Sequence, residues 1–251
     1  MIRSLCIVIG LGSLAAAPAL PDVVNVSVNG LASGSGVATA ECAGPDDENP
    51  PPGCVRTVPG GPYYEVLSFN FSDPNNQLGP VGAYGNATGI LGATLVGATN
   101  QGTTATADAL EISLNGAFSC DATLYCAVNQ QDTVAVTFDL TTESQIQLAG
   151  NVFQGTASNS GELLDSMGNV ILDIPVTGGS ESTILSPGVY QLDASVSGSG
   201  LGPVTDGIEQ DLSSDLNANF TPVPEPRWAI LAALLCIVLG RFRKAVVACE
   251  Q

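Results

Sequence analysis

Apolar residues occupy every second position in run after run of this chain. Val24, Val26 and Val28 alternate with Asn25, Ser27 and Asn29, and Leu110, Ile112 and Leu114 with Glu111 and Ser113. Val134, Val136, Phe138 and Leu140 form a third set, Val170, Leu172 and Ile174 a fourth, and Tyr190, Leu192, Ala194 and Val196 a fifth. Successive side chains of an extended strand point to opposite faces, so a period of two puts one face on a core and the other in water. The 3.6-residue period of a helix is weak throughout. Turn residues punctuate the runs: Asn115-Gly116, Asp165 to Asn169 around Gly168, and Pro187-Gly188, which suits the two central positions of a type II turn. Short strands at regular spacing predict an all-β fold, an antiparallel β-sandwich of jelly-roll type.

The two ends have a different character. Met1-Ile2-Arg3 is a short basic start, Leu5 to Leu14 an apolar stretch, and Ala15 to Ala19 a run of small residues broken by Pro18. This is the pattern of a secretory signal peptide, residues 1–19. Cleavage after Ala19 avoids placing Pro18 at the scissile bond, where the peptide has no N–H. At the other end Val223-Pro224-Glu225-Pro226 precedes Arg227-Trp228, an uncharged apolar run to Gly240, and the cluster Arg241, Arg243 and Lys244. Prolines stop a strand and open a helix, Trp228 suits a headgroup interface, and the basic cluster suits a cytoplasmic face. As a helix, Trp228 to Gly240 rises about 20 Å against a bilayer core of about 30 Å, which asks for snorkelling arginines or local thinning. A run of that length also suits a buried core helix. The Pro-Glu-Pro, the Trp and the basic cluster favour the membrane. Residues 245–251 then form a short cytoplasmic tail.

This tail resembles the PEP-CTERM sorting signal of Gram-negative bacteria. The resemblance covers about Pro222 to Lys244 and rests on Pro224, Glu225, Pro226, the short apolar helix, and Arg241, Arg243 and Lys244. It implies an exosortase as processing partner, a transient stay in the inner membrane, and release to the cell surface or the extracellular space beside exopolysaccharide. A second, more generic resemblance covers Phe138 to Ala194, whose strand-turn-strand series is similar to the jelly-roll modules of many secreted bacterial proteins, including prepeptidase C-terminal-type domains. It bears on fold and leaves function open.

Charge placement agrees with export. Of six basic residues, Arg3 precedes the first apolar stretch, while Arg241, Arg243 and Lys244 follow the last. Both ends are then cytoplasmic before processing, and the chain between them lies outside. That chain keeps all but Glu225 and Glu250 of the 24 acidic residues, with Arg56 as its one base. Such a surface repels nucleic acid and anionic lipid. From residue 20 to 212 the chain is long enough for one domain with a sizeable core. Residues 213–223, acidic and polar after a Gly/Ser-rich stretch, are read as a linker.

Composition removes several chemistries. The chain has no His, so Ser–His and Cys–His nucleophile pairs and imidazole zinc sites are excluded. Its only Lys is Lys244, which excludes Schiff-base chemistry in the domain. Carboxylate pairs remain, and two acids suffice for glycoside hydrolysis. Tyr63-Tyr64 reads either as one ring inward and one outward on a strand or as a platform for a sugar. Gly82 to Gly102, rich in Gly and Thr, reads either as a flat ice- or sugar-binding face or as a Gly-rich strand pair with a bulge.

Compartment sorts the seven cysteines. Cys6 leaves with the signal peptide, and Cys236 and Cys249 belong to the tail. Cys42, Cys54, Cys120 and Cys126 remain in an oxidising space, where three pairings are possible. Cys42–Cys54 and Cys120–Cys126 are expected, since each closes a short local loop. The first loop carries Asp46, Asp47, Glu48 and Asn49, oxygen donors of the kind calcium takes. The alternating Asp pattern of an EF-hand is absent, so a solvated acidic loop is expected, with no metal and no cofactor. The function expected is that of an exported, non-enzymatic surface or matrix protein serving adhesion, spacing or glycan association. The alternative is a secreted, carboxylate-based glycan hydrolase.

Overall fold

The alternating runs become thirteen strands among the described residues, with no helix. The computed structural model describes residues 23–151, 160–175, 177–202 and 208–223. In chain order the strands are β1 (Val23–Ala43), β2 (Val55–Arg56), β3 (Tyr63–Asn75), β4 (Val81–Thr88), β5 (Thr94–Ala105), β6 (Ala109–Asp121) and β7 (Tyr125–Leu140). They continue with β8 (Ser144–Gly150), β9 (Ser160–Asp165), β10 (Val170–Ile174), β11 (Gly179–Leu185), β12 (Gly188–Gly202) and β13 (Ile208–Pro222). A seven-stranded sheet runs β10-β9-β12-β7-β1-β3-β2, and a six-stranded sheet runs β11-β8-β13-β6-β5-β4. Every described strand pair is antiparallel. The sheets stack face to face with β7 over β6, β1 over β5, β12 over β13 and β10 over β11. The result is a β-sandwich.

The inward positions form two apolar clusters. The larger contains Leu110, Ile112, Val136, Phe138, Leu148 and Leu192, among others. Phe138 is fully buried and lies edge-on to Phe220 at 5.4 Å between ring centroids, with Tyr190 at 6.0 Å. The smaller cluster is built mainly from Ala38, Ala40, Leu95, Phe118, Cys120 and Cys126. The larger one sits where the described chain begins and ends: Val23 N–H donates to Ala107 O at 3.1 Å, and Phe220 N–H to Asp108 O at 2.9 Å. The smaller one sits at the opposite end, where Leu124 N–H donates to Thr39 O.

Three expectations are corrected. Residues 213–223 are not a linker, because Ser213 to Pro222 belong to β13, an interior strand between β8 and β6. Leu212, Ser214, Leu216, Ala218 and Phe220 are buried while Ser213, Asp215, Asn217 and Asn219 face outward, so the acidic and polar residues were the wet half of an alternation. The domain accordingly extends past 212. Asn115-Gly116 is not a turn but the middle of β6, paired with Thr99 and Asn100 on one side and Leu212 and Ser213 on the other. Pro187-Gly188 does separate β11 from β12, but Gly188 lacks the positive φ that a type II turn requires at its third residue. Asp165 to Asn169 is the expected hairpin: Gly168 has φ 81°, and Asp165 Oδ1 accepts the N–H groups of Met167 and Asn169 at 2.8 and 2.9 Å.

Gly82 to Gly102 is a strand pair, and β4 and β5 pair without a register shift from Val81 to Thr88. Two of its glycines, Gly85 and Gly97, have a packing reason. Phe69 and Phe71 stack at 5.9 Å between centroids, and a Cβ at Gly85 or Gly97 would stand 2.7 Å from the Phe69 ring. The stretch is a socket for two rings.

Candidate functional site

The cysteines pair as local loops. Cys42 is joined to Cys54, with Cα atoms 6.4 Å apart, and Cys120 to Cys126, at 6.1 Å. Both bonds lie at the end away from where the described chain begins and finishes. Cys120 and Cys126 are fully buried and close the connection by which the chain passes from β6 in one sheet to β7 in the other. Two bonded pairs are what an oxidising compartment permits.

The acidic loop is open to water. Asp46, Asp47, Glu48 and Asn49 are exposed, and Asp47 Oδ1 accepts Asn49 N–H at 2.8 Å. Arg56 closes the base of the loop by donating to Pro45 O at 3.2 Å, and its guanidinium lies 4.2 Å above the centre of the Tyr63 ring. Tyr63 and Tyr64 are both half-buried at the start of β3, opposite Arg56 and Val55, and Arg56 covers Tyr63. Among the described residues no group of three or more Asp, Glu, Cys or His side chains is placed to hold a metal ion.

A shallow groove of about 310 Å³ crosses the outer face of the seven-stranded sheet. Its polar lining includes Asn29, Thr133, Ser160, Glu162, Asp193 and Ser195. The register sets Asp173 opposite Glu162 and Glu162 opposite Asp193, so three carboxylates form one row across β10, β9 and β12. Burial holds the Asp193 carboxyl above the usual carboxylate range, although Gln191 Nε2 donates to both its oxygens at 2.8 and 3.0 Å. The Ser160 and Ser195 hydroxyls meet at 2.8 Å.

A second polar group is buried between the two apolar clusters, and the sequence reading missed it. Gln130 and Asp132 of β7 enter from one sheet, and Thr99, Gln101 and Thr103 of β5 with Ser214 of β13 from the other. None is more than 5 % exposed. The Thr99 hydroxyl donates across the sandwich to Asp132 Oδ2. Gln130 Nε2 donates to Ala98 O at 2.9 Å, and its side chain hydrogen-bonds the same Asp132 carboxylate. Gly116 leaves the room for this, since a Cβ there would stand 2.1 Å from Gln130 Nε2 and 3.3 Å from Asp132 Oδ2. Burial pushes the Asp132 carboxyl up from 3.8 to about 6, against the hydrogen bonds of Thr99 and Gln130, which pull it down. Among the described residues, Asp132 Oδ1, Gln130 Oε1, Gln101 Oε1, Thr103 Oγ1 and Ser214 Oγ have no hydrogen-bond partner. The signal for this layer was parity. Gln130 and Asp132 fall on the same alternate positions as Val128, Val134 and Val136, and counting only apolar residues passes over them.

The residues of the expected sorting signal, Pro224, Glu225, Pro226, Arg241, Arg243 and Lys244, lie outside the described residues. So do the expected cleavage position Ala19 and the expected membrane helix. The chain matches no family model, no curated protein and no solved structure.

Proposed function

We propose that the chain is an exported, non-enzymatic protein of the cell surface or extracellular matrix, sorted by its C-terminal tail and associated with exopolysaccharide. The observation that carries the glycan reading is the groove across the seven-stranded sheet. Its amide, hydroxyl and carboxylate groups can donate to and accept from sugar hydroxyls. The two cysteine pairs fit an oxidising destination. The tail supplies the address. Two prolines keep Pro224-Glu225-Pro226 extended and open to an enzyme at the membrane surface, and Arg241, Arg243 and Lys244 hold the far end of the helix in the cytoplasm. The jelly-roll class of the sandwich belongs to this reading too.

One observation favours a second reading, a carboxylate-based glycan hydrolase. Asp193, half-buried and with its carboxyl held above the usual range, faces Glu162 across the strand pair inside the same groove. A raised carboxyl beside a second acid is the arrangement of a general acid and its partner.

One experiment separates the two. The exported protein is incubated with the organism's own exopolysaccharide, and retention and sugar release are followed in the same tube. Retention without release supports the surface protein. Release that disappears in Asp193→Asn or Glu162→Gln supports the hydrolase. Sorting is read separately, by fractionating cells with and without the exosortase and probing with antiserum to the domain. A product that keeps its full-length mass and stays in the membrane of both strains overturns the sorting reading.

A further inference from the structure

We propose that the two sheets are joined covalently, by an ester between Thr99 Oγ1 and Gln130 Cδ formed with loss of ammonia and assisted by Asp132. The three groups such a reaction needs are already assembled. Thr99 supplies a hydroxyl nucleophile and hydrogen-bonds the Asp132 carboxylate. Gln130 supplies a carboxamide that hydrogen-bonds the same carboxylate, and Nε2 is tied at 2.9 Å to the carbonyl of Ala98, the residue before Thr99. Nucleophile, base and electrophile therefore meet on one carboxylate, with the first on β5 and the other two on β7.

The atoms balance without a co-reactant. Asp132 takes the Thr99 hydroxyl proton as Oγ1 attacks Gln130 Cδ. The Cδ–Nε2 bond then breaks, Asp132 returns the proton to the departing nitrogen, and ammonia leaves. Nothing is oxidised or reduced. A hydroxyl becomes a competent nucleophile when an adjacent base accepts its proton, and a carboxyl whose pKa burial has raised to about 6 can both take and return one near neutral pH. Fixed proximity supplies the rest of the acceleration. Thr99, Gln130 and Asp132 are 5 %, 1 % and 0 % exposed, so water that would hydrolyse the ester is kept away.

Two further observations point to chemistry rather than packing. Asp132 Oδ1 and Gln130 Oε1 are buried without a partner among the described residues, and a half-satisfied polar network destabilises a core that apolar residues would fill better. Gly116, in mid-strand, is the one residue type that leaves Gln130 its place. The ester ties β5 to β7 at the level where apolar packing between the sheets is interrupted.

The test is a peptide map of the purified exported protein, reduced and cut before aspartate. Thr99 then lies in the peptide 73–107 and Gln130 in 121–131. The expected result is a single linked species, lighter than the two peptides together by one ammonia, which mild alkali separates to leave glutamate at position 130. Thr99→Ser keeps the link. Thr99→Val and Asp132→Asn lose it while both disulfides still form, which reports that the variants fold. Unlinked peptides of full mass from the folded wild-type protein overturn the proposal. So does an ammonia loss confined to 108–120, where Asn115-Gly116 can cyclise to a succinimide, and so does a link that persists in Asp132→Asn.

Discussion

The two ends of the sandwich are held together by different means. At the end where the described chain begins and finishes, Leu110, Ile112, Phe138, Leu148, Leu192 and Phe220 fill the space between the sheets. At the opposite end much of the lining is Ala38, Ala40, Ala93 and Ala122, and two disulfides lie there. Burial stabilises in proportion to apolar area, at roughly 25 cal/mol per Å², so an alanine-lined end gains less from its core. Cross-links stabilise by limiting the unfolded chain and do not depend on side-chain bulk. The comparison teaches that one continuous sandwich can change its source of stability along its length, with the buried polar layer at the crossover.

The sharpest way to break this contrast is to remove bulk where bulk matters. Phe138→Ala deletes a fully buried ring that packs on Phe220 and Tyr190. It should cost about 3–5 kcal/mol of stability in denaturant unfolding. A cost under about 1 kcal/mol, well below that range, would mean that the large cluster does not dominate its end. The next effect belongs to the other end. Replacing Cys42 and Cys54 together by Ser opens a loop of 12 residues separation, and loss of the cross-link should cost about 3 kcal/mol. Reducing agent, which opens both bonds, should cost the wild type at least as much and leave the Phe138→Ala penalty in place. If reduction is silent, the small cluster holds its end unaided.

The smallest effect probes the layer between the ends. The folded-state pKa of Asp132 lies above the value of 3.8 for an unhindered aspartate, at about 6. The folded protein therefore binds this proton more tightly than the unfolded chain does. The cost of burying the ionised form is absent below about pH 4, grows as pH rises, and is complete above about pH 6, where it reaches about 2–3 kcal/mol. Thermal unfolding followed from pH 3.5 to 7 should show wild-type stability falling across that window more steeply than Asp132→Asn. Comparing slopes removes the contribution of the other acids, which both proteins share. Parallel slopes would show that Asp132 is hydrated in the folded state.

Much of the architecture was legible because apolar residues keep parity in β6, β7 and β12, and parity is all that a half-buried strand requires, whereas in β10 a register shift leaves Val170 exposed while Leu172 and Ile174 stay buried. The cysteine pairs were legible because short loops are the simplest to close. The failures share a cause. In β13 the inward set includes Ser214 and Ala218, and the outward set carries Asp215, Asn217 and Asn219, so the polar half dominates the composition and hides the alternation. Asn115-Gly116 has the chemistry of a turn, yet Gly116 is required by a side chain that arrives from the other sheet. The inward Thr99, Gln101, Gln130 and Asp132 look like surface residues in sequence, because which of two polar neighbours faces inward depends on a partner sheet the local sequence does not name. The groove acids pose the same problem, since Glu162 and Asp193 meet only through cross-strand register.

Val23 and Phe220 both dock at the Ala107–Asp108 turn, and from there β1 runs its 21 residues to the neighbourhood of Cys42, a reach of about 65 Å at the rise of an extended strand. Within the described domain, β1 is a spar that joins the two ends. The heavy apolar ballast lies at the end where Val23 docks, and the riveted, acid-tipped loop of Asp46, Asp47 and Glu48 closes the other. A partner that meets this far end meets negative charge first, and a sideways load on its loop passes through a disulfide before it reaches the core.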